Sequence, residues 1–199
     1  MASHQMTSAP QVSTRARTLC SARLELRALT EADLDLVSAL SRDPRVMASL
    51  GGPMTVVESE AWLERQLVHL REYGYGRYVV TRDAQFVGLV GLSRTDFDYG
   101  LVPGVEIAWR LAFDHWGHGY ATEAAHAAIQ EGFSRFDLPE VIAVTSTNNL
   151  RSRSVMTRLG MTFSPGDTFE HLRLPEGDPL RCRVVYRLLR PDAQSLSAP

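Results

Sequence analysis

Glu106 and the glycine-containing turn that follows it are the residues of this sequence best suited to chemistry. The turn reads DHWGHGY over residues 114–120. A carboxylate such as Glu106 can accept a proton from a reacting group in a cleft, although most glutamates are solvated surface residues. Glycines such as Gly117 and Gly119 take positive φ values easily and let the backbone approach an anion closely. We therefore predict a phosphate-binding turn with a candidate proton acceptor before it.

The sequence around this turn predicts the elements that position it. Apolar residues alternate through 105–111, which is typical of a half-buried strand and places Glu106 and Arg110 on one face. After the turn, apolar and small residues recur at helical spacing up to about Phe136: Ala121, Ala124, Ala125, Ala128, Ile129, Gly132 and Phe133. The first amides of a helix lack internal partners and attract anions. Strand, turn and helix together predict an anion site.

Composition restricts the class of protein. The chain has 199 residues, 44% of them hydrophobic, and a formal net charge of −2. No apolar run approaches the ~18 residues that cross a bilayer. A nucleic-acid-binding protein normally carries a basic excess, which this chain lacks. We expect one globular domain that binds neither membrane nor nucleic acid and is a monomer or homodimer.

The cysteines and histidines do not suggest a metal site. Cys20 and Cys182 are far apart and form no CxxC spacing, so we expect reduced thiols in a cytoplasmic protein. His115, His118 and His126 do not follow a recurrent ligand spacing. We expect no metal.

The remaining pattern divides the chain into an arm, a domain and a tail. Residues 1–22 and 191–199 lack periodicity and are expected to be disordered, so the domain spans 23–190. Further strands are predicted at 23–29, 78–81, 86–92, 141–145 and 184–188, and helices at 36–40, 58–71 and 149–159. Thr30 is a predicted helix cap, and Asp83-Ala84 a hairpin turn. Because a helix joins strand 105–111 to strand 141–145, these two strands should be parallel.

Two motifs carry a family resemblance. They are HWGHGYATEA at 115–124 and NLRSRSVMTRLGM at 149–161. Together they resemble the GNAT superfamily of acetyl-CoA-dependent N-acetyltransferases, in particular the RimJ/RimL branch with its "WGkGyatEA" and "NxxSxxVxxkLGF" patterns. The likeness runs from Arg23 to about Arg190. It implies an α+β fold whose central, mixed and mostly antiparallel sheet has a splayed parallel strand pair and about four flanking helices.

The resemblance also implies the cosubstrate, acetyl-CoA, and its site. The turn amides would hold its phosphates, the preceding strand would pair with the pantetheine arm, and Asn149 would bond the arm near the thioester. The binding residues implied are Ile107, Ala108, Trp109, Leu111, Trp116, Gly117, His118, Gly119, Tyr120, Ala121, Thr122, Asn149 and Ser152. The implied acceptor is a primary amine, either a protein N-terminal α-amine or a small-molecule amine.

Three positions depart from the family's pattern. Asp114 stands where Gln or Arg is frequent, Met156 where a proton-donating Tyr is frequent, and Arg183 where this branch often has His. Glu106 is the candidate base. Ser152 lies three residues after Asn149, hence on nearly the same helix face, and is the candidate thiolate acid. The alternative for Ser152 is a helix-terminus residue that only bonds backbone.

Other functions remain open on the same residues. Gly117-x-Gly119 lacks the third glycine of the dinucleotide fingerprint, and no P-loop pattern occurs. A non-catalytic module that binds acetyl-CoA or a protein with this fold is the alternative to an enzyme. Neither cysteine lies near the motifs and no Ser–His pair adjoins them, so an enzyme would use direct attack rather than an acyl-enzyme.

Overall fold

A computed structural model describes residues 18–95, 104–172 and 174–191 of the chain. Most of the predicted arm and all but Pro191 of the predicted tail lie outside these ranges. Within the predicted arm, Leu19–Cys20 forms a short strand, β1, whose partner is the next strand. The first described strand therefore lies within residues 1–22, before Arg23.

The described strands form one sheet of eight, in the order β1-β2-β3-β4-β5-β6-β8-β7. After β1 they are β2 Glu25–Ala28, β3 Arg77–Arg82, β4 Gln85–Arg94, β5 Val105–Leu111, β6 Glu140–Ser146, β7 Thr162–Glu170 and β8 Cys182–Leu189. All neighbours are antiparallel except β5 and β6, which are parallel as predicted. The mixed sheet expected from the sequence is confirmed.

Five α-helices flank the sheet in the described ranges. They are α1 Leu34–Arg42, α2 Pro44–Met47, α3 Val56–Tyr73, α4 Tyr120–Arg135 and α5 Leu150–Arg158. The single turn of α2 accounts for the difference from the four expected. None of the helices described is both long and apolar enough to span a bilayer.

The helices cover the two faces of the sheet and create two cores. One core contains Ile107 and Leu111 of β5 with Ala124 and Ile129 of α4. The other contains residues of α1 and α3 with Val79 and Leu89 of the sheet. Since side chains alternate along a strand, Glu106 and Arg110 belong to the second face, which α1 and α3 cover.

Local sequence signals explain several boundaries. Asp83 and Ala84 both have positive φ, 49° and 61°, as the tight turn between β3 and β4 requires. Thr30 forms a capping box with Asp33 at a short 3-10 turn before α1. Both predictions are confirmed.

The parallel strands separate soon after they meet. The register between β5 and β6 consists of one pair, Glu106 with Ile142. Beyond that pair β5 continues to Leu111 on its way to the glycine turn. The separation leaves one edge of β5 without a strand partner, which is the splay implied by the family resemblance.

Candidate active site

The glycine turn has the geometry of an anion site. Gly117 and Gly119 both have φ of +81°, and Gly119 caps the N-terminus of α4. Among the described residues, the amides of 117–122 have no hydrogen-bond partner, and the first bonded amide is that of Glu123, to Gly119. The turn is also exposed. A stretch of free amides at a helix N-terminus suits a diphosphate.

Side chains fix this turn to the sheet. The indole nitrogen of Trp116 donates to the carbonyl of Leu111 at 2.9 Å.

Thr122, in the first turn of α4, has a buried hydroxyl without a hydrogen-bond partner among the described residues. An orphaned hydroxyl at this place is consistent with a ligand that the turn binds.

Two arginines from distant parts of the chain contact the turn, where Asp114 contributes no positive charge. Arg23 donates to the carbonyl of His118 at 3.2 Å and also pairs with Glu123 at 2.6 Å. Arg151, at the start of α5, lies over the ring of Trp116 with its Cζ 5.0 Å from the ring centroid. Arg151 belongs to the second motif and Arg23 begins the region of likeness, but neither was predicted as a site residue, because both approach the turn through tertiary packing.

The free edge of β5 lies between the turn and Glu106. The side chains of Ile107 and Leu111 are buried in the core, so only their backbone faces the gap between β5 and β6. Ala108 and Trp109 are partly buried in the same stretch. An extended chain could therefore pair with this edge, as the family resemblance implies for pantetheine.

Glu106 lies where the two parallel strands part. Its side chain is partly buried, and burial raises the pKa of its carboxyl. Arg77, the backbone N–H of Val144 and Arg183 oppose that shift and lower the pKa. A glutamate with a raised pKa in a cleft is a suitable general base, because its basicity is closer to that of an amine.

Arg77 is held beside Glu106. It reaches from β3 across β4, where one guanidinium nitrogen donates to the hydroxyl of Ser93 at 2.8 Å. Ser93 is the residue paired with Glu106 between β4 and β5. A second nitrogen donates to the carbonyl of Ala108 at 3.2 Å. Arg77 was not among the site residues predicted from the sequence, since it lies on a separate strand.

Arg110 shares this face, as the alternation in the sequence indicated. Its guanidinium donates to the hydroxyl of Ser41, on α1, at 2.8 Å and lies 4.8 Å from the ring centroid of Trp62, on α3. Burial, and then the charge of Arg77, lowers the pKa of Arg110 to about 10. Arg110 thus lies partly exposed between the sheet and α1 and α3, next to the apolar core of that face.

Asn149 and Ser152 meet at the N-terminus of α5. The Asn149 side-chain oxygen accepts from the Ser152 amide at 3.2 Å, and its nitrogen donates to Ser152 Oγ at 3.1 Å. The same nitrogen donates to Thr145 Oγ1 at 3.0 Å. Ser152 thus accepts a bond while keeping its own hydroxyl proton to donate. The structure brings these residues together, but their part in binding or catalysis stays a prediction.

Tyr186 and Tyr120 are weaker candidates than Ser152 for the thiolate acid, because neither occupies the motif position where the family's Tyr is frequent. Met156 is 1% exposed and belongs to the core. The hydroxyl of Tyr186 accepts from Arg153 at 3.2 Å, and that of Tyr120 accepts from Arg82. Arg183 lies inside β8 rather than before it, because the strand begins at Cys182.

Comparison with known proteins identifies relatives. The family described as "Acetyltransferase (GNAT) domain" matches residues 23–162. The FsC-acetyl coenzyme A-N(2)-transacetylase of Aspergillus fumigatus is 32% identical over 154 residues, a match covering 73% of this chain and 65% of the fungal protein. The chain thus spans slightly less than two thirds of that relative.

Solved structures share the fold. An acetyltransferase from Agrobacterium tumefaciens str. C58 is 26% identical with a TM-score of 0.71, and the match covers 96% of this chain and 100% of that one. The ribosomal L7/L12 α-N-protein acetyltransferase RimL, in complex with coenzyme A, is 18% identical with a TM-score of 0.72. That match covers 87% of this chain and 98% of RimL.

Proposed function

This chain belongs to the GNAT acetyltransferase family, and we propose that it transfers the acetyl group of acetyl-CoA directly to a primary amine. The observation that carries the proposal is the run of free amides at 117–122, joined by the free edge of β5 to Glu106. The turn would bind the phosphates, and the edge would bind the pantetheine arm. The names of two similar proteins support acetyl transfer to nitrogen. The fungal transacetylase is named for acetyl coenzyme A and an N(2) position, and RimL for the α-amine of a protein.

The reaction needs a base because amines are protonated at neutral pH. Presenting an α-amine of pKa about 7.8 as the neutral form at pH 7 costs about 1 kcal/mol, and a lysine-type amine of pKa about 10.4 costs about 4–5 kcal/mol. Glu106 would accept that proton, directly or through water. The neutral nitrogen would then attack the thioester carbon.

The remaining step is departure of the thiolate. A C–N bond forms as the C–S bond breaks, and the CoA sulfur takes up a proton. Ser152 would donate that proton, since its hydroxyl accepts from Asn149 and lies at the start of α5, where the helix dipole favours negative charge. The proton that the nitrogen loses as the amide forms would pass through water to Ser152 Oγ and replace the hydrogen given to sulfur.

A panel of amines tests this proposal. Purified protein is incubated with acetyl-CoA and one amine at a time, including short peptides, amino acids, lysine derivatives and polyamines. Thiol release and the mass of the product are measured. Release of thiol matched by an acetylated amine supports the proposal. Tight binding of acetyl-CoA without acetylation of any amine would point instead to the non-catalytic binding module.

A further inference from the structure

We propose that the amine acceptor carries a carboxylate, and that Arg110 and Arg77 bind it in a cleft between the sheet and helices α1 and α3. The inference rests on the proposed acetyl transfer and names its class of acceptor. It begins from two half-buried guanidinium groups on one face of the sheet.

Arg110 is charged without a counter-charge in its surroundings. Its contacts are the hydroxyl of Ser41, which is fully buried, and the ring of Trp62. No carboxylate of the described residues forms an ion pair with it. By contrast, Arg27 pairs with Asp33 at 2.5 Å, and Arg187 with Asp167 at 3.0 Å. Those two arginines are balanced within the fold, and Arg110 is not.

The pKa values of the paired arginines shift in the opposite direction from those of Arg77 and Arg110. Carboxylate partners raise the pKa of Arg27 and of Arg187. Burial lowers the pKa of Arg77, against the effect of Glu106, and lowers that of Arg110, with Arg77 adding to the shift. A partly desolvated cation without a partner is unfavourable, and an anion that enters the cleft relieves this.

Arg77 places a second guanidinium toward the base. Among the described residues, its hydrogen bonds go to neutral oxygens, those of Gly91, Ser93 and Ala108. The negative charge of Glu106 raises the pKa of Arg77 and so opposes the effect of burial on it. If Glu106 accepts the amine proton, its negative charge is neutralised, and both arginines then face the bound acceptor.

The register gives the spacing between amine and anion. Arg110 is four residues beyond Glu106 on the same face of β5, or about 13 Å along the strand. Arg77 lies level with the midpoint between them, because it is paired with Gly91 on β4, and Gly91 is paired with Ala108 on β5. An acceptor with its amine near Glu106 would thus point its carboxylate toward Arg77 and Arg110. Arginine binds a carboxylate with two parallel hydrogen bonds, which fixes orientation as well as charge.

Helix α3 carries a hydrogen-bond acceptor without a partner. The side-chain oxygen of Gln66, one helical turn after Trp62 on α3, is buried without a hydrogen-bond partner among the described residues. It can accept from an ammonium or peptide N–H group of a ligand. The cleft therefore fits an amino acid or short peptide with a free carboxylate. Polyamines fit it poorly, because two arginines repel their charge.

Matched acceptors test the inference without any variant. We would compare kcat/KM for γ-aminobutyrate with that for n-butylamine, and for glycylglycine with that for its amide, with spermidine as the polycation. Hydrogen bonds to a charged group contribute about 1.5–3 kcal/mol, so the carboxylated member of each pair should be favoured by about 10- to 100-fold. Equal turnover within a pair, or preference for spermidine, would overturn the inference.

Variants then assign the preference to the cleft. Arg110→Gln should reduce the ratio of kcat/KM for γ-aminobutyrate to kcat/KM for n-butylamine at least tenfold. Arg65→Gln, an equal charge change at an exposed position of the same helix that holds Trp62, is the control and should leave the preference intact. A uniform loss on both amines would show that Arg110 is structural and contradict the assignment.

The outcomes separate the two proposals. Acetylation of amines without regard to a carboxylate removes only the inference about the acceptor. Absence of acetylation for every amine removes the proposed function, and the inference with it.

Discussion

The side-chain nitrogen of Asn149 donates a hydrogen bond to Ser152 Oγ at 3.1 Å, while the Asn149 oxygen accepts from the Ser152 amide. Asn149 is thereby both the cap of α5 and a support for the Ser152 hydroxyl. Because Oγ is an acceptor in this contact, the Ser152 hydrogen can be donated to a developing thiolate. The two residues should respond differently to substitution.

Ser152→Ala should lower kcat by about 10²- to 10⁴-fold if protonation of the thiolate limits the rate. Acetyl-CoA affinity should change little, because the helix cap formed by Asn149 remains. Steady-state kinetics and calorimetry measure the two quantities. Turnover within about threefold of the wild type, well below that range, would mean that the thiolate leaves unprotonated or through water.

Asn149→Ala should weaken both turnover and acetyl-CoA affinity. It should also lower the free energy of unfolding by about 0.5–2 kcal/mol, because the cap of α5 is lost. Urea denaturation measures that loss. A variant with the stability and affinity of the wild type would contradict the role given to Asn149.

Glu106→Gln should lower kcat more than it lowers acetyl-CoA affinity. Burial raises the pKa of Glu106 above the ordinary 4.5, so activity should rise with pH through that raised value as the base becomes charged. The variant should lose this acidic limb of the pH profile. Wild-type turnover in Glu106→Gln would make Glu106 structural.

Arg77→Gln should move the acidic limb to higher pH. Arg77 lowers the pKa of Glu106, so removal of its charge should raise that pKa further, with Arg183 and the Val144 amide left to oppose burial. The pH dependence of kcat/KM measures the shift. A limb that stays in place would show that another group controls it.

Gly119→Val should abolish acetyl-CoA binding and leave the fold largely intact. The residue has φ of +81°, which a β-branched side chain rarely adopts, and the turn amides would move. Gly160→Val is a control, because Gly160 has φ of +77° and open space around it, at the far end of α5. Unchanged calorimetric affinity in Gly119→Val would contradict the assignment of the turn.

The sequence predicted the elements with strong local patterns. The alternation of 105–111, the glycine turn and the helical spacing after it gave β5 and α4 nearly to the residue. The strand β7 was not predicted, because Thr162–Glu170 is mostly exposed and contains Pro165 and Gly166, so it lacks alternating apolar residues.

The site was predictable only where its residues are neighbours in the chain. Glu106, the turn and Asn149 belong to local motifs, and Arg110 follows from strand alternation. Arg77 reaches the site from β3, where it bonds the carbonyl of Gly91, and Arg151 of the second motif reaches the ring of Trp116 in the turn. No local pattern encodes such contacts, since they depend on the order of the strands and the packing of α5.

The stoichiometry of one quenched reaction tests the central claim, direct acetyl transfer from acetyl-CoA to an amine, most directly. Protein, acetyl-CoA and an amine acceptor are mixed, and free thiol, acetylated amine and the mass of the intact protein are measured together. We expect one acetylated amine for each thiol released and no acetyl group on the protein at any time. Thiol release with acetylated protein, or acetyl-CoA bound with no acetylated amine, would contradict the account.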